Sequence, residues 1–546
     1  MKLFLIMSKE ILKKIKGRYL SLFTLSFFSL IAVVFTLIVS MVNKITIDEV
    51  FYNKRIDFLF HRFIYVLIGV YVFSICFNLL NNYLTAKLYS RLDGKLKVDY
   101  YDKVLRLSYY FHNEHESSDI YYRMFNDITT VVKYFLDVII NVPTKILYLA
   151  AALFIMSKWS TLLTLIYVGI LILNIVVIIF IRKPNYKISA RQKKIEQGII
   201  TKITSDLNQI FTIKVFGIEN FSSEKMKCNF NEYIKSNVHN NFILSLLNVL
   251  NSLSSQIWSL LLIIVGALQV YNNSLSIGGF VAFSSIAAST TNFIVGLINY
   301  IFTFQPIKLS YERYNEYIKH EEIYSGDKSF AFENKLSVKS LRFSYPKSKK
   351  IIIRNLNFET QPNKIICIVG ENGKGKSTFA NLLSRLITPP NNSIYIDGVD
   401  INKIDYSEYK RNVGYLMQKP IMFSSSIREN IVLDKTDIKE QDIMQILSKL
   451  DMQDLINSLP KKLDTVIGEN GYKLSQGNIQ KISIARVLLR DYKILILDEP
   501  TAALDTTTKF KFKKLIQDYS KRALVFIITH DKSEIDLADY ILDLSL

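Results

Sequence analysis

The chain has 546 residues, 49% of them hydrophobic, and 68 Lys and Arg against 48 Asp and Glu give it a formal net charge of +20. Its mean hydropathy of +0.19 excludes a wholly soluble protein of ordinary composition. The basic excess is not accompanied by any RNA- or DNA-binding motif, which argues against a nucleic-acid partner. The three cysteines, Cys76, Cys228 and Cys367, are far apart in the sequence and indicate neither a disulfide nor a metal site.

Six apolar runs occupy the first 305 residues, and each is long enough to cross a bilayer, which takes about 20 residues. They lie near residues 20–42, 60–84, 136–159, 161–181, 242–270 and 279–304. Helices of a soluble bundle would carry polar faces that these runs mostly lack. We therefore predict a polytopic α-helical membrane domain with six transmembrane helices, covering residues 1–320 and embedded in the lipid bilayer.

Basic residues flank these runs unevenly. They precede the first run at Lys9, Lys13, Lys14, Lys16 and Arg18, and follow the fourth at Arg182, Lys183, Lys187, Arg191, Lys193 and Lys194. The positive-inside rule then puts both chain ends in the cytoplasm, and a composition rich in Lys, Ile, Asn, Tyr and Phe suggests the plasma membrane of a bacterium with an AT-rich genome. Residues 1–19 lack the apolar core of a signal peptide and are expected to form an amphipathic helix on the inner surface.

The polar stretches at residues 85–135 and 182–241 are rich in helix-forming residues, so we expect helices that run on into the cytoplasm and contact the other half of the chain. Polar residues also occur inside the runs, where they either bond helix to helix or face a wet cavity. They are Asn78, Asn81, Asn82, Asn248, Asn251, Ser252, Ser254, Ser255, Gln256, Thr290, Thr291, Asn292 and Asn299. Lys145 is the one cation well inside a predicted span; it has either a functional role or a side chain that extends towards a membrane boundary.

The segment GENGKGKST starts at Gly370, directly after the apolar run Ile365–Val369, and a helical pattern begins near Phe379. This is the pattern of a phosphate-binding P-loop, in which glycines let backbone N–H groups approach the phosphates, Lys376 reaches the β- and γ-phosphates and Ser377 offers a hydroxyl to Mg²⁺. We therefore predict that a nucleoside triphosphate binds to the loop formed by Gly370, Glu371, Asn372, Gly373, Lys374, Gly375, Lys376, Ser377 and Thr378.

A second apolar strand is predicted at residues 494–497 and ends in Asp498 and Glu499. Asp498 is expected to hold Mg²⁺, while Glu499 orients and deprotonates the attacking water. Between the two elements, LSQGN at residues 474–478 precedes a helical pattern at residues 479–489. Ser475 and Gly477 there would offer a hydroxyl and an amide to an anion.

With these motifs in this order, the chain resembles an ABC transporter over nearly its full length, and within that family a half-transporter of the exporter type. The resemblance implies an α/β P-loop ATPase domain at residues 335–546 behind the membrane domain. It makes Tyr345 in FSYP the A-loop aromatic that stacks on adenine, Gln418 in YLMQKP the catalytic and metal-binding Q-loop glutamine, Asp505 the D-loop aspartate and His530 in IITHD the catalytic switch histidine.

Three weaker segments also resemble exporters. TVIGENG at residues 465–471 is similar to the exporter X-loop, and residues 111–128 and 213–220 resemble the segments beside the two coupling helices. The resemblance implies ATP-driven export of a peptide, lipid-like or amphipathic small molecule by alternating access, with ATP and Mg²⁺ as cofactors. An exporter-fold importer of the siderophore type and an ATP-gated regulatory or channel-like protein are the alternatives.

The family signature LSGGQ reads LSQGN in this chain, with Gln476 and Asn478 at the positions of the usual glycine and glutamine. In the family, ATP lies between the P-loop of one subunit and the signature of the other, so the resemblance implies a second half-transporter as partner. The altered signature is compatible with a homodimer and with a heterodimer, and both remain open.

Overall fold

The structure is a computed structural model that describes residues 19–51, 64–320, 322, 325–346, 348, 350–435, 437–468 and 471–544. The chain divides into two compact units. The first contains residues up to Leu105 and His115–His320, and the second contains Arg106–Glu114 and the chain from Glu321 onward. The amphipathic helix expected before residue 19 lies outside the described residues.

The first unit is helical. Its helices are α1 (Tyr19–Phe51), α2 (Ile64–Leu105), α4 (Ser117–Tyr122), α5 (Ile128–Trp159), α6 (Thr161–Asn208), α7 (Ile210–Phe216), α8 (Glu219–Tyr271) and α9 (Ile277–Lys319), while α3 (Tyr109–Glu114) belongs to the second unit. Over the described residues α1, α2, α5 and α9 are long and apolar enough to span a membrane. The described apolar parts of α6 and α8 are Thr161–Leu173 and Gln256–Tyr271.

The polar stretches between the apolar runs continue the helices, as predicted. Helix α2 extends to Leu105, α6 extends to Asn208 and α8 begins at Glu219. The short α7 between them is followed by its C-cap Gly217, whose φ of 63° is left-handed and costs a glycine little.

A cluster of paired charges joins α9 to a single π-helical turn between α4 and α5. Arg123 donates from Nε to Asp119 at 2.8 Å and from Nη1 to Glu316 at 2.6 Å. Arg313 lies 2.6 Å from Asp127, a carboxylate with only 1% of its surface exposed. Because an unpaired buried charge is costly, these pairs fix the π-helical turn to α9.

Several polar residues of the predicted spans bond one helix to another. The Tyr167 hydroxyl of α6 donates to the Ala287 carbonyl of α9 at 2.7 Å and lies 2.8 Å from the Thr291 hydroxyl. The amide of Asn81 in α2 donates to the Ser29 hydroxyl of α1 at 3.3 Å. These residues therefore act as helix contacts. The side chains of Asn248, Asn251, Ser254 and Ser255 lie outside the described residues.

The second unit contains two sheets. The strands are β1 (Leu336–Phe343), β2 (Ile353–Thr360), β3 (Ile365–Val369), β4 (Ile394–Ile396), β5 (Val399–Asp400), β6 (Val413–Leu416), β7 (Ile494–Asp498), β8 (Leu524–Ile528) and β9 (Tyr540–Asp543). A parallel five-stranded sheet has the order β6-β7-β8-β3-β9, and an antiparallel four-stranded sheet has the order β2-β1-β4-β5.

Helices pack around the parallel sheet. They are α10 (Lys376–Leu383), α11 (Tyr406–Asn412), α12 (Ile427–Val432), α13 (Glu440–Lys449), α14 (Gln453–Ser458), α15 (Gln476–Leu488), α16 (Thr506–Ser520) and α17 (Lys532–Ile535). Strand β7 is buried along its whole length, and its side chains alternate between two cores: Ile494 and Ile496 face one, Leu495 and Leu497 the other. Burial on both faces explains why the strand reads as a continuous apolar run.

Candidate nucleotide site

The P-loop connects β3 to α10, as the sequence predicts. Gly370, Gly373 and Gly375 have φ angles of 145°, 82° and 97°, which residues other than glycine rarely adopt. A Cβ at Gly375 would also come within 3.0 Å of Ile352 Cγ2. Helix α10 begins at Lys376, earlier than predicted, so the last residues of the P-loop form the first turn of the helix. The free N–H groups at the start of α10 therefore face the loop.

The Lys376 side chain is turned into the loop and is 8% exposed. Its Nζ donates to the carbonyl oxygens of Gly370 at 2.6 Å and Glu371 at 3.2 Å. The ammonium group therefore lies inside the ring of backbone atoms that a phosphate would approach.

Tyr345 lies next to the first turn of α10. Its hydroxyl is 3.2 Å from that of Thr378, and its ring packs edge-on against Phe343. Tyr110 of α3 stacks on the same ring, with centroids 6.2 Å apart, and its hydroxyl donates to Pro346 O at 3.1 Å. These contacts hold the predicted adenine-stacking residue beside the P-loop.

A cavity of about 410 Å³, here called the P-loop cavity, brings the predicted motifs together. It is lined by Lys350, Ile352, Asn372, Gly373, Gly375, Lys376, Ser377, Thr378, Gln418, Asp498, Glu499 and Ile528. Residues that are more than a hundred positions apart in the sequence thus share one polar cavity of a size typical for small ligands.

Asp498 ends β7 and is 5% exposed. Burial raises the pKa of this carboxyl group, while hydrogen bonds from the Ser377 and Tyr415 hydroxyls lower it in part. Tyr415 donates to Oδ2 at 3.3 Å. A cation beside Asp498 would favour the ionised form.

The donor set at Asp498 fits Mg²⁺. Its carboxylate, the Ser377 hydroxyl and the Gln418 amide all line the P-loop cavity and are the oxygen ligands that Mg²⁺ accepts, together with several waters. Within the described residues no group of three or more His, Cys, Asp or Glu is placed to hold a metal ion by itself.

Glu499 follows directly after the strand, and its carboxylate accepts a 2.8 Å hydrogen bond from Gln418 Nε2. Its φ of 46° is left-handed, and its backbone N–H donates to Ile528 O at 2.9 Å. Backbone of this kind is uncommon outside glycine and is found often at active sites. The turn puts Glu499 on the wall of the P-loop cavity next to Asp498.

His530 follows β8, whose last residue Ile528 pairs with Asp498 in the parallel sheet. The exposed histidine side chain is not among the residues that line the P-loop cavity. The structure therefore brings His530 to the same sheet edge as the carboxylates.

The signature forms the start of α15. Ser475 is its N-cap, with Oγ accepting from Asn478 N at 3.3 Å, so the helix starts at Gln476 and not at residue 479 as predicted. A Cβ at Gly477 would come within 2.9 Å of Ala503 O. Neither Ser475 nor Gly477 lines the P-loop cavity.

Asp505 caps α16 by accepting from Thr508 N at 2.8 Å, and Lys481 Nζ of α15 lies 3.4 Å from its Oδ2. Hydrogen bonds from the Thr507 hydroxyl and from the backbone N–H and hydroxyl of Thr508 hold the pKa of Asp505 well below its usual range, and the charge of Lys481 adds to the effect. Asp505, like the signature residues, does not line the P-loop cavity.

Sequence reasoning missed Tyr415, which touches the expected metal ligand Asp498. It also missed Gln480, whose Nε2 donates to Pro500 O at 2.9 Å and so ties α15 to the segment after Glu499. Tyr415 could have been found from the sequence, because it places a hydroxyl group in a short apolar strand three residues before Gln418.

Two family matches cover the chain in order. The ABC transporter transmembrane region matches residues 22–295, and the ABC transporter domain matches residues 353–502. The chain therefore belongs to the ABC transporter family. It is an ATP-driven exporter of the bacterial plasma membrane, with a multi-pass membrane domain and a cytoplasmic domain that hydrolyses ATP, as predicted.

Curated relatives include an ATP-dependent lipid A-core flippase of Pseudomonas fluorescens (28% identical, covering 85% of this chain and 77% of the relative). A multidrug resistance ABC transporter ATP-binding and permease protein of Lactococcus lactis is 27% identical over 82% of this chain and 76% of its own length. The leukotoxin translocation ATP-binding protein LktB of Mannheimia haemolytica is 27% identical over 93% and 72%.

The fold is similar to that of a bacterial Atm1-family ABC exporter with ATP bound, with a TM-score of 0.83 and 21% identity over 97% of this chain and 94% of the other. The predicted fold class, a helical membrane domain followed by an ABC-type ATPase domain, is thereby confirmed, as is nucleotide binding. Half-transporters of this kind dimerise.

Proposed function

We propose that the P-loop cavity is the site of ATP hydrolysis, with Glu499 as the general base. The observation that carries this proposal is the 2.8 Å hydrogen bond from Gln418 Nε2 to Glu499 in a cavity that also holds Lys376 and Asp498. The bond fixes one carboxylate oxygen and leaves the other free to take a proton from water. His530, at the same sheet edge, completes the catalytic set by stabilising the phosphate region.

The remaining predicted residues bind the nucleotide. Tyr345 stacks on adenine, the loop amides of residues 370–378 bind the phosphates, and Lys376 faces the β- and γ-phosphates. Ser377, Gln418 and Asp498 would hold Mg²⁺, which when bound offsets the charge on the transferred phosphoryl group. The nearly buried Asp498 carboxylate supports this assignment because a cation would favour its ionised form.

We infer that the chain works as a dimer in which Ser475, Gly477 and Asp505 serve the ATP held by the other subunit. Their absence from the P-loop cavity of their own chain supports this role. The N-terminus of the 13-residue helix α15 would direct its free N–H groups at the γ-phosphate of that ATP. We also propose the domain limits 1–320 and 335–546.

The partner subunit is either a second copy or a different half-transporter. Gln476 is exposed at the start of α15, where its side chain would face the opposing nucleotide. A homodimer should hydrolyse ATP when the purified chain is alone, and restoring the usual signature with Gln476→Gly and Asn478→Gln should then raise its rate. Activity that appears only after a second half-transporter is added would establish a heterodimer.

We propose an amphipathic compound, lipid-like or peptidic, as the exported substrate. The relatives named for lipid A-core, multidrug and leukotoxin transport support this class. Inverted membrane vesicles test it, because export then becomes ATP-dependent uptake of a fluorescent amphipathic probe. Glu499→Gln vesicles with equal protein content are the matched control, and equal uptake in both would refute the proposed coupling of Glu499 to transport.

A further inference from the structure

Lys145 lies deep in the predicted third span, on α5. It is 14 residues before Trp159, or about 21 Å along the helix, and nine residues after Leu136, or about 14 Å. Its ammonium group lies beside Gly296 of α9, eight residues and about 12 Å before Phe304, where the predicted sixth span ends. The four methylene groups of the side chain therefore do not bring the charge to the membrane boundary.

The ammonium group packs between an aromatic ring and bare backbone. Nζ lies 5.0 Å from the ring centroid of Tyr300, and a Cβ at Gly296 would come within 2.6 Å of it. Among the residues that the structure describes, no carboxylate oxygen lies within 4.0 Å of Nζ. Asp137 lies two helical turns earlier on α5, inside the same predicted span, and it interacts with Lys145 as well as with Lys133 through longer-range electrostatics.

The surroundings of Nζ are ordered. The Tyr134 hydroxyl donates to the Tyr300 carbonyl at 2.9 Å, and the two rings pack edge to face with centroids 6.3 Å apart. Next to Lys145, Ile146 and Leu147 expose 53% and 55% of their surfaces. The ammonium group is thus bordered by the Tyr300 ring and by the bare backbone at Gly296, while the exposed Ile146 and Leu147 lie on the neighbouring faces of α5.

From this arrangement we infer that Lys145, Gly296 and Tyr300 form a binding site for the anionic headgroup of an amphipathic substrate. The inference rests on the proposed export function and narrows its substrate class. A cation inside the membrane domain needs a counter-charge or water, and among the described residues no carboxylate oxygen lies within 4.0 Å of this one. A carboxylate or phosphate oxygen would accept from Nζ, while an acyl chain would lie along the exposed apolar residues of α5.

The test measures binding of two matched fluorescent probes to the full-length protein in phosphatidylcholine nanodiscs. One probe is pyrenedodecanoate and the other is pyrenedodecyl-trimethylammonium, so that the two share the pyrene and the twelve-carbon chain and carry headgroups of opposite charge. Lys145→Gln should weaken binding of the carboxylate probe about tenfold or more and leave the cationic probe unchanged. Lys145→Arg should retain the carboxylate probe. Pyrenedodecyl phosphate, tested the same way, distinguishes a phosphate from a carboxylate headgroup.

Lys158→Gln is the matched control, because Lys158 lies on the same helix with its ammonium over Phe154, at the end of the span. It should leave both probes bound. Unchanged carboxylate affinity in Lys145→Gln, or an equal loss for both probes, would overturn the inference. ATP hydrolysis without any probe is measured on the same samples and should be equal in Lys145→Gln and the unsubstituted protein, since Lys145 is not part of the P-loop cavity. Equal hydrolysis in Glu499→Gln and the unsubstituted protein would contradict the proposed function and leave this inference to the probe measurements.

Discussion

The replacement Glu499→Gln should nearly abolish ATP hydrolysis while leaving ATP binding intact. The new amide keeps the size of the side chain and a carbonyl oxygen that can still accept the 2.8 Å bond from Gln418. Little packing is lost, and what disappears is the group that takes the proton from water. A positioned general base contributes about a hundredfold to ten-thousandfold in rate. That range corresponds to about 2.7–5.4 kcal/mol of barrier height.

The contribution of positioning is measured separately with Gln418→Ala. This change removes both the hydrogen bond to the carboxylate and a proposed Mg²⁺ ligand but leaves the base in place, so the rate is compared at saturating Mg²⁺; a hydrogen bond to a charged group is worth about 1.5–3 kcal/mol. We therefore expect a loss of about tenfold to a hundredfold, smaller than that for Glu499→Gln.

The assay is steady-state phosphate release by purified protein in nanodiscs, with binding of a fluorescent ATP analogue measured on the same preparations. Activity above about a tenth of normal in Glu499→Gln would refute the role of general base. So would a loss of nucleotide binding as large as the loss of turnover, because the residue would then be a binding group.

Lys376→Ala should weaken binding of the ATP analogue itself, because it deletes the ammonium group enclosed by the P-loop; unchanged affinity would contradict that role. Tyr415→Phe removes the hydroxyl that donates to Asp498 and should raise the Mg²⁺ concentration for half-maximal activity about fivefold, a loss near 1 kcal/mol, without changing metal-free nucleotide binding. Burial raises the pKa of Glu534 above its usual 4.5, so the native state gains stability from this group below pH 4.5 and loses it as the pH rises. Glu534→Gln should therefore raise the melting temperature more at pH 7.5 than at pH 5, and an equal shift at both would show that charge burial is not the cause.

The parts of the site that the sequence predicts are those in which neighbours along the chain act together. The P-loop follows strand β3 directly, and Asp498 with Glu499 follows β7, so a local pattern contains the whole signal. The pairing of Gln418 with Glu499 depends on β6 lying beside β7 in the parallel sheet, and that adjacency is absent from any local pattern. The family resemblance identified Gln418 as the Q-loop glutamine but did not predict this hydrogen bond.

The sequence also did not predict the start of helix α15 or the role of Tyr415, and each of these misses has a physical reason. Gly477 and Asn478 are poor helix formers, and this suggests that α15 begins after them; the N-cap of Ser475 overrides that preference and starts the helix at Gln476. Tyr415 looks like an ordinary strand residue, because tyrosine is common in strands and its hydroxyl gains meaning only beside Asp498.

The contact between Gly477 and the Ala503 carbonyl sets unequal limits on how this signature can vary. Any side chain at position 477 would meet that carbonyl at 2.9 Å, whereas the Gln476 side chain extends into open space. Substitutions can therefore accumulate at Gln476 without disturbing the fold of the subunit that carries them. Position 477 is restricted to glycine by the Ala503 carbonyl of the same subunit. A library that randomises residues 474–478 should return folded proteins with many residues at 476 and almost only glycine at 477, whatever their rate of ATP hydrolysis.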